Sequence, residues 1–224
     1  MSETTVLMTV RHGDTDFNHQ KRYAGLMDVP LNEKGMKDAE SAARSLDASA
    51  DVVISSALRR AVETARALVA DTGEVIECDL CNERNFGKMQ GLTSDEAEGL
   101  KPAVHYIRVG GDFHSLNPPQ GETFPALRRR VKAFAEYLMG EFAGSSILVV
   151  SHEVFLLQFH GFLRGESWQE AMRHRLPNLT LTTFAIQDGR VLSETSRPLV
   201  ARAGEDGSFF AFPPANRQSA DPSE

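Results

Sequence analysis

The apolar run Val6-Leu7-Met8-Thr9-Val10 breaks off at Arg11-His12-Gly13 and passes into a polar stretch. A short apolar segment that ends in turn-forming residues predicts a buried strand. Its carboxyl end delivers a guanidinium, an imidazole and a flexible backbone to one place. In open parallel sheets, that rim is where ligands bind. Arginine beside histidine at such a rim suits an anionic, phosphate-like group, because the guanidinium grips oxygens in a fork.

The same pattern recurs along the 224 residues. Val52-Val53-Ile54 reads as a second buried strand, closing in Ser55-Ser56 with Arg60 soon after. A third apolar stretch, residues 74–78, leads toward Glu83 and is read as placing it at a strand end. The run at 146–150 ends in Ser151-His152-Glu153. Between these lie amphipathic stretches: residues 34–46 behind a capping Asn32, residues 57–69 with Gly73 beyond them, residues 93–100, and residues 123–142, broken early by Pro125 and closed by Gly144. Residues 154–163 are an apolar helix, and residues 179–186 and 190–195 form a hairpin turning at Asp188-Gly189. Strands alternating with helices predict an α/β fold. The expected form is a three-layer αβα sandwich whose mostly parallel sheet carries an antiparallel strand at its edge.

One catalytic domain over residues 1–201 is expected, with a cap-like insertion at about 93–120 where no clean period is found. Residues 202–224, rich in Gly, Pro, Ser and charge, read as a mobile tail. The net charge of -7 argues against a nucleic-acid partner, and any anionic substrate must be held by a local basic pocket. No run approaches a membrane span, and the first residues lack a signal-peptide pattern, so the expectation is a cytoplasmic protein with no membrane partner. The two cysteines, Cys78 and Cys81, have the spacing of a redox pair or half a zinc site. With no second pair, and with Val75, Ile76 and Leu80 around them, they read as small hydrophobes at a strand end.

Parallel strands bring their ends together, so Arg11, His12, Arg60, Glu83 and His152 converge on one rim. Two imidazoles, two guanidiniums and a carboxylic acid are the set for phosphoryl transfer through a covalent histidine. An imidazole attacks phosphorus, cations hold its oxygens, and an acid protonates the leaving oxygen. Arginines neutralise the charge a metal would otherwise meet, so no cofactor is expected. Glu83 pairing with Arg84 or Lys88 on the surface is the competing reading.

These residues resemble a known family. Arg11-His12-Gly13-Asp14-Thr15 with Asn18 is similar to the R-H-G-x-T/S signature of the histidine phosphatase superfamily, in its phosphoglycerate mutase-like branch (branch 1). The resemblance continues in order through Arg22, Gly25, Asp28, Pro30-Leu31 and Gly35, then Ser56-Ala57-Leu58-Arg59-Arg60-Ala61 with Thr64-Ala65. It runs on through Glu83 with Phe86-Gly87 and Gly91, Gly121-Glu122, and Val150-Ser151-His152. The family implies that His12 is the phosphorylated nucleophile. Arg11, Arg60 and His152 then hold the phosphoryl group with help from Thr15 and Asn18, Glu83 is the proton donor, and Arg22 meets the rest of the substrate. His19, His105, His114, His160 and His174 are left as structural or solvent residues. The run Arg128-Arg129-Arg130 reads as a solvated helix face, with Arg130 in a structural ion pair. Dimers are frequent in the family, so a homodimer is an expectation of the resemblance.

The chain departs from the family pattern at Glu153, which stands where Gly usually follows the second histidine. A carboxylate there is expected to repel phosphate if it points inward, or to raise the pKa of His152. The stretch Asn82-Glu83-Arg84-Asn85-Phe86-Gly87 is close to the form found in cofactor-dependent mutases, which makes Arg84 a candidate for a substrate carboxylate. The insertion, however, is short and acidic. A mutase must shield its phosphohistidine from water, whereas a phosphatase must admit it. The favoured reading is therefore a metal-independent phosphatase of a small phosphorylated metabolite. The alternatives are a 2,3-bisphosphoglycerate-using mutase and a silent module that binds a phosphorylated ligand.

Overall fold

A computed structural model describes residues 3–46, 49–69 and 74–201 of the chain. Gly73 and the 202–224 segment lie outside the described residues. In chain order the elements are β1 (Thr5–Arg11), α1 (Asp16–His19), α2 (Glu33–Ala43), β2 (Val52–Ser55), α3 (Arg59–Leu68) and β3 (Val75–Glu77). There follow α4 (Ser94–Ala97), β4 (Tyr106–Val109), β5 (Asp112–Ser115), α5 (Phe124–Phe142) and β6 (Ser146–Ser151). The last are α6 (Glu153–Arg164), α7 (Trp168–Ala171), β7 (Thr180–Gln187) and β8 (Arg190–Pro198).

The main sheet has the order β3-β2-β6-β1-β7-β8. Its first four strands are parallel to one another, and β7 and β8 add an antiparallel hairpin at one side. Helices cover both faces, which is why the central strands are apolar throughout rather than alternating. Leu7, Ile54, Ile147 and Val149 pack against Leu127, Val131 and Phe134 of α5 and Phe155 and Phe159 of α6. Met8, Val10, Val53, Leu148 and Val150 pack the opposite way, against Ala39 and Ala42 of α2 and Ala61, Ala65 and Leu68 of α3. The aromatic side is the thicker core, with Phe134 edge-on to Phe155 at 5.5 Å and to Phe159 at 5.3 Å. Small alanines on the other side let α2 and α3 lie close to the sheet.

Several elements differ from the sequence reading. Pro125 does not break α5; it sits in the first turn behind the Thr123 cap, where a missing N–H costs nothing. The aperiodic stretch contains the two-stranded hairpin β4–β5, and the helix expected over 93–100 is the single turn α4. The turns α1 and α7, each closed by a capping box, are too short to leave a periodic signal. The strand β3 ends at Glu77, so Glu83 is not a strand-end residue. A 3-10 turn over Asp79–Cys81 intervenes and carries the chain back toward β6, where Ser151 Oγ donates to the Cys81 carbonyl at 2.6 Å.

Candidate active site

The strands β1 and β6 end at the same level, with Arg11 opposite Ser151, so His12 and His152 emerge side by side. Their rings lie 5.0 Å apart at 58°. After His12 the backbone runs beneath α2, close enough that a Cβ on Gly13 would come 2.9 Å from the Gly35 carbonyl oxygen. Only a pair of glycines allows that approach. The loop is pinned by the Gly13 N–H donating to Thr64 Oγ1 at 3.0 Å and by Asn178 Nδ2 donating to the His12 carbonyl at 2.8 Å.

The two histidines are held in opposite tautomers. His12 Nδ1 lies 2.6 Å from the Gly13 carbonyl oxygen. A carbonyl only accepts, so Nδ1 carries the proton and Nε2 presents a lone pair. Burial, then Arg60 and Arg11, push the His12 pKa well below its ordinary value, so the ring is neutral at neutral pH. His152 is settled by a longer chain. Asn82 Oδ1 accepts from the Ala57 N–H at 3.0 Å, which fixes the amide's orientation. Ser56 Oγ therefore donates to Asn82 Oδ1 at 2.7 Å and has only acceptor capacity left for His152. Hence His152 Nε2 is the donor, at 2.7 Å, and its Nδ1 is left with the lone pair. Nδ1 is buried with no partner among the described residues.

Both arginines are buried, at 2% and 1% exposure. Arg60 is aimed by its outer nitrogens, NH1 donating to the Met27 carbonyl at 2.9 Å and NH2 to the Gly25 carbonyl at 2.8 Å. Arg11 NH1 donates to the Leu176 carbonyl at 2.7 Å. The Nε–H groups of Arg11 and Arg60 have no partner among the described residues. Two buried guanidinium donors left over in one pocket call for an oxyanion. Burial pulls the Arg60 pKa down to about 10, which leaves it a cation at neutral pH.

Glu83 does not pair with Arg84 or Lys88 through side chains. Its carboxylate accepts from the N–H of Arg84 at 2.8 Å, of Phe155 at 3.1 Å and of Val154 at 3.4 Å. Two of these donors belong to the first turn of α6, whose own N-cap, His152, makes no side-chain cap bond. Glu83 therefore caps a helix from outside it and is oriented by that bonding. Arg130 completes the support. It pairs with Glu122 at 2.7 Å and donates to the carbonyls of Asn82 at 2.6 Å and Glu83 at 3.2 Å. The solvated-face reading of the arginine run thus holds for the exposed Arg129 alone, since Arg128 binds the Gln158 and Glu166 carbonyls.

A cavity partly open to solvent lies among these side chains, with His152 buried just outside its lining. Arg11, His12, Thr15, Asn18, Arg22, Arg60, Glu83 and Glu153 line it. No residue of 93–120 is in that lining. Thr15 and Asn18 form a capping box at the start of α1, with Asn18 Oδ1 accepting from Thr15 Oγ1 at 2.9 Å, so the amide donor is what Asn18 has to offer a ligand. Arg22 sits at the mouth, where Glu96 of α4 already holds it at 2.6 Å. Arg84, a candidate for a substrate carboxylate, is not in the lining. It is 1% exposed, its guanidinium lies 4.1 Å over the Phe124 ring, and its Nε donates to the Glu122 carbonyl at 2.8 Å. Glu153 points inward and ion-pairs with Arg11 at 2.9 Å.

The sequence reading missed Asn82, Asn178 and the Arg130 clamp on Glu83. All three act through backbone carbonyls or through another side chain, and nothing in residue order advertises such bonds. The remaining histidines are spoken for in part: His160 Nε2 bonds Thr9 Oγ1 at 2.8 Å, His19 meets Asp14 at 2.6 Å and His174 meets Glu166 at 3.1 Å. Cys78 and Cys81 are free thiols, and Cys81 is buried.

Residues 7–196 match the family model of the histidine phosphatase superfamily (branch 1). Among curated relatives, a bifunctional protein of Mycobacterium tuberculosis is 38% identical over 154 residues, 66% of this chain and 41% of its own. The chain therefore spans well under half the length of that relative. A 2,3-bisphosphoglycerate-dependent phosphoglycerate mutase of Parvibaculum lavamentivorans is 31% identical over 156 residues, 66% of this chain and 74% of the relative. Among solved structures, the alpha-ribazole phosphatase of Shigella flexneri superposes with a TM-score of 0.73 at 26% identity, covering 88% of this chain and 97% of that one.

Proposed function

The chain belongs to the histidine phosphatase superfamily (branch 1), and from that premise we propose that it hydrolyses a small phosphorylated metabolite through a phosphohistidine, without a metal. The observation that carries the reading is the Nε2 lone pair of His12, held beside the buried Nε–H groups of Arg11 and Arg60, which have no partner among the described residues. His12 Nε2 attacks phosphorus, and the bond to the leaving oxygen breaks in line. Arg11, Arg60 and a protonated His152 Nδ1 bind the phosphoryl oxygens as charge spreads over them. Glu83 gives its proton to the leaving oxygen and, in the second half, takes one from the attacking water. Water then releases phosphate and restores neutral His12.

Relatives named as phosphoglycerate mutases keep a second reading in play, that of a mutase. Of the cations such an enzyme would turn toward a second acidic group, Arg22 is held by Glu96, and Arg84 lies outside the cavity lining with its Nε on the Glu122 carbonyl. That favours hydrolysis of a singly phosphorylated substrate.

The test is phosphate release without added metal from a panel of phosphomonoesters, both phosphoglycerates included, for the wild type and His12→Ala. Isomerisation of 3-phosphoglycerate is followed in parallel with and without 2,3-bisphosphoglycerate. Release that vanishes in His12→Ala is expected. Bisphosphate-stimulated isomerisation with little release would overturn hydrolysis, and binding without turnover of any substrate would leave only a phospho-ligand module.

A further inference from the structure

The mechanism above uses one carboxylate, yet the cavity holds two. Glu153 is the first residue of α6 and 4% exposed, and it lines the cavity with Arg11, His12, Arg60 and Glu83. Its Oε2 lies 2.9 Å from Arg11 NH1, the guanidinium that must hold a phosphoryl oxygen. Arg11 NH1 is further committed to the Leu176 carbonyl. Four charged groups act on Glu153: Arg11 of β1, Glu83 of the segment after the 3-10 turn, Arg175 beyond α7, and Asp112 of β5. Arg175 and Asp112 are themselves paired at 2.9 Å, so their effects largely cancel. The neighbouring imidazoles of His12 and His152 are held neutral by burial.

An anionic phosphoryl oxygen drawn to Arg11 therefore arrives beside a carboxylate that is already there. Two anionic oxygens on one guanidinium repel strongly where water is scarce. A single proton between them replaces that repulsion with a short, charge-assisted hydrogen bond. We infer that Glu153 is a specificity-determining residue that couples phosphoryl binding to uptake of one proton from solvent, shared between Glu153 Oε2 and a phosphoryl oxygen. No bond to phosphorus forms or breaks in this step; the proton at Glu153 is additional to the one His152 gains when its Nδ1 donates to the phosphoryl group. The inference rests on the reading of this cavity as a phosphoryl site. It narrows the substrate to a monoester with no second anionic group near its phosphate, because such a group would need a second proton. Burial, only partly offset by Arg11, pushes the Glu153 carboxyl up to about 7 even in the empty site, so the proton is close at hand.

The probe is tungstate, a tetrahedral dianion that stays unprotonated in neutral and alkaline solution. Its binding is measured by titration calorimetry at about pH 8 in buffers of different ionisation enthalpy, for the wild type, Glu153→Gln and Glu153→Gly. The wild type is expected to take up about one proton more per tungstate than either variant. Above about pH 7 its affinity should fall more steeply than that of either variant, by roughly a further tenfold per pH unit. Equal proton uptake in all three proteins, or a wild-type affinity that does not change above neutrality, would overturn the inference and move any proton to the histidines. Two variants guard against one of them misfolding. Tungstate binding with this proton uptake, in a protein that releases phosphate from no monoester, would uphold the inference and overturn hydrolysis. A protein that releases phosphate but does not bind tungstate would overturn the inference and leave hydrolysis standing.

Discussion

The ends of β1 and β6 look alike and behave differently. Each is a buried parallel strand that finishes in a short polar triplet with histidine at its centre, Arg11-His12-Gly13 on one and Ser151-His152-Glu153 on the other. Both imidazoles are buried and both have pKa values pushed well down, by burial first and then by Arg60. What separates them is the partner of the nitrogen that faces away from the ligand. On β1 it is the adjacent Gly13 carbonyl, reached because the glycine backbone folds under α2. On β6 it is Ser56, whose own proton is spent on Asn82. One ring is thereby made a nucleophile, and the other a group that must gain a proton before it can donate to an anion. The position of the second hydrogen bond, rather than the residue type, sets the role.

Exchanging the two ends for alanine should show the difference most sharply. His12→Ala removes the atom that forms the covalent bond and is expected to reduce kcat by more than about a thousandfold. His152→Ala removes one stabilising donor and should cost about a hundred- to a thousandfold. Protein quenched in alkaline denaturant, where a phosphohistidine survives, would separate them, since labelled phosphate should remain on the His152 variant and be missing from the His12 variant. Equal losses with no label in either would mean that the two rings act as one unit.

Glu83 comes next, because it serves the chemistry and the α6 helix together. Glu83→Gln should lower kcat by about a hundredfold or more with little change in stability. Glu83→Ala should also unfold more easily by about 1 kcal/mol, since the orphan N–H groups of α6 lose their acceptor. Denaturant midpoints of the two variants, read beside their rates, would separate cap from catalyst. A smaller effect is expected at Ser56. Ser56→Ala leaves the His152 Nε2–H without an acceptor, at a cost of about 1–3 kcal/mol in stability, and lets the ring choose the other tautomer. The expected activity loss is on the order of tenfold, about 1.4 kcal/mol of barrier. An unchanged rate would show that the relay through Asn82 does not set the tautomer.

Stability against pH gives the gentlest test. His12 and His152 have lowered folded pKa values, as do His114, at about 4, and His160, at about 3. Below pH 6.5 the unfolded chain binds protons on these rings that the folded chain refuses, so stability falls as pH drops from there toward the folded values. Each ring contributes about 1.4 kcal/mol per pH unit over its own window. Glu153 works the other way. Its carboxyl, raised to about 7 when folded, binds a proton that the unfolded chain does not, and so adds stability as pH falls from about 7 toward its ordinary value of 4.5. The net slope below neutrality should therefore steepen in Glu153→Gln, which denaturation curves at stepped pH would reveal. An unaltered slope would mean that Glu153 titrates alike in both states.

Much of the frame was legible along the chain. The apolar runs at Val6–Val10, broken only by Thr9, and at Ile147–Val150 leave neither face suited to water, so strands covered on both faces followed from the residue pattern. Parallel pairing then put His12 and His152 at one rim without further information. The alternation of strands and helices and the ordered motifs from Arg11 to His152 were enough to indicate the family.

Other features were decided in three dimensions. Residue order cannot say that Glu83 lies past a 3-10 turn and caps α6, because the N–H groups it serves belong to residues about seventy positions away. Arg84 and Arg60 are the same residue type in promising motifs. One is buried between Phe86 and Phe124 while the other faces the cavity, and only the packing of aromatic rings separates them. Glu153 stood out in the sequence as a departure, but its direction depended on where the rim of β1 would put Arg11. The reason is general: hydrophobic periodicity is written locally and survives in the sequence. The direction of a buried polar group is set by which distant donors and acceptors the fold brings within 3 Å or so, since leaving such a group unpaired is costly.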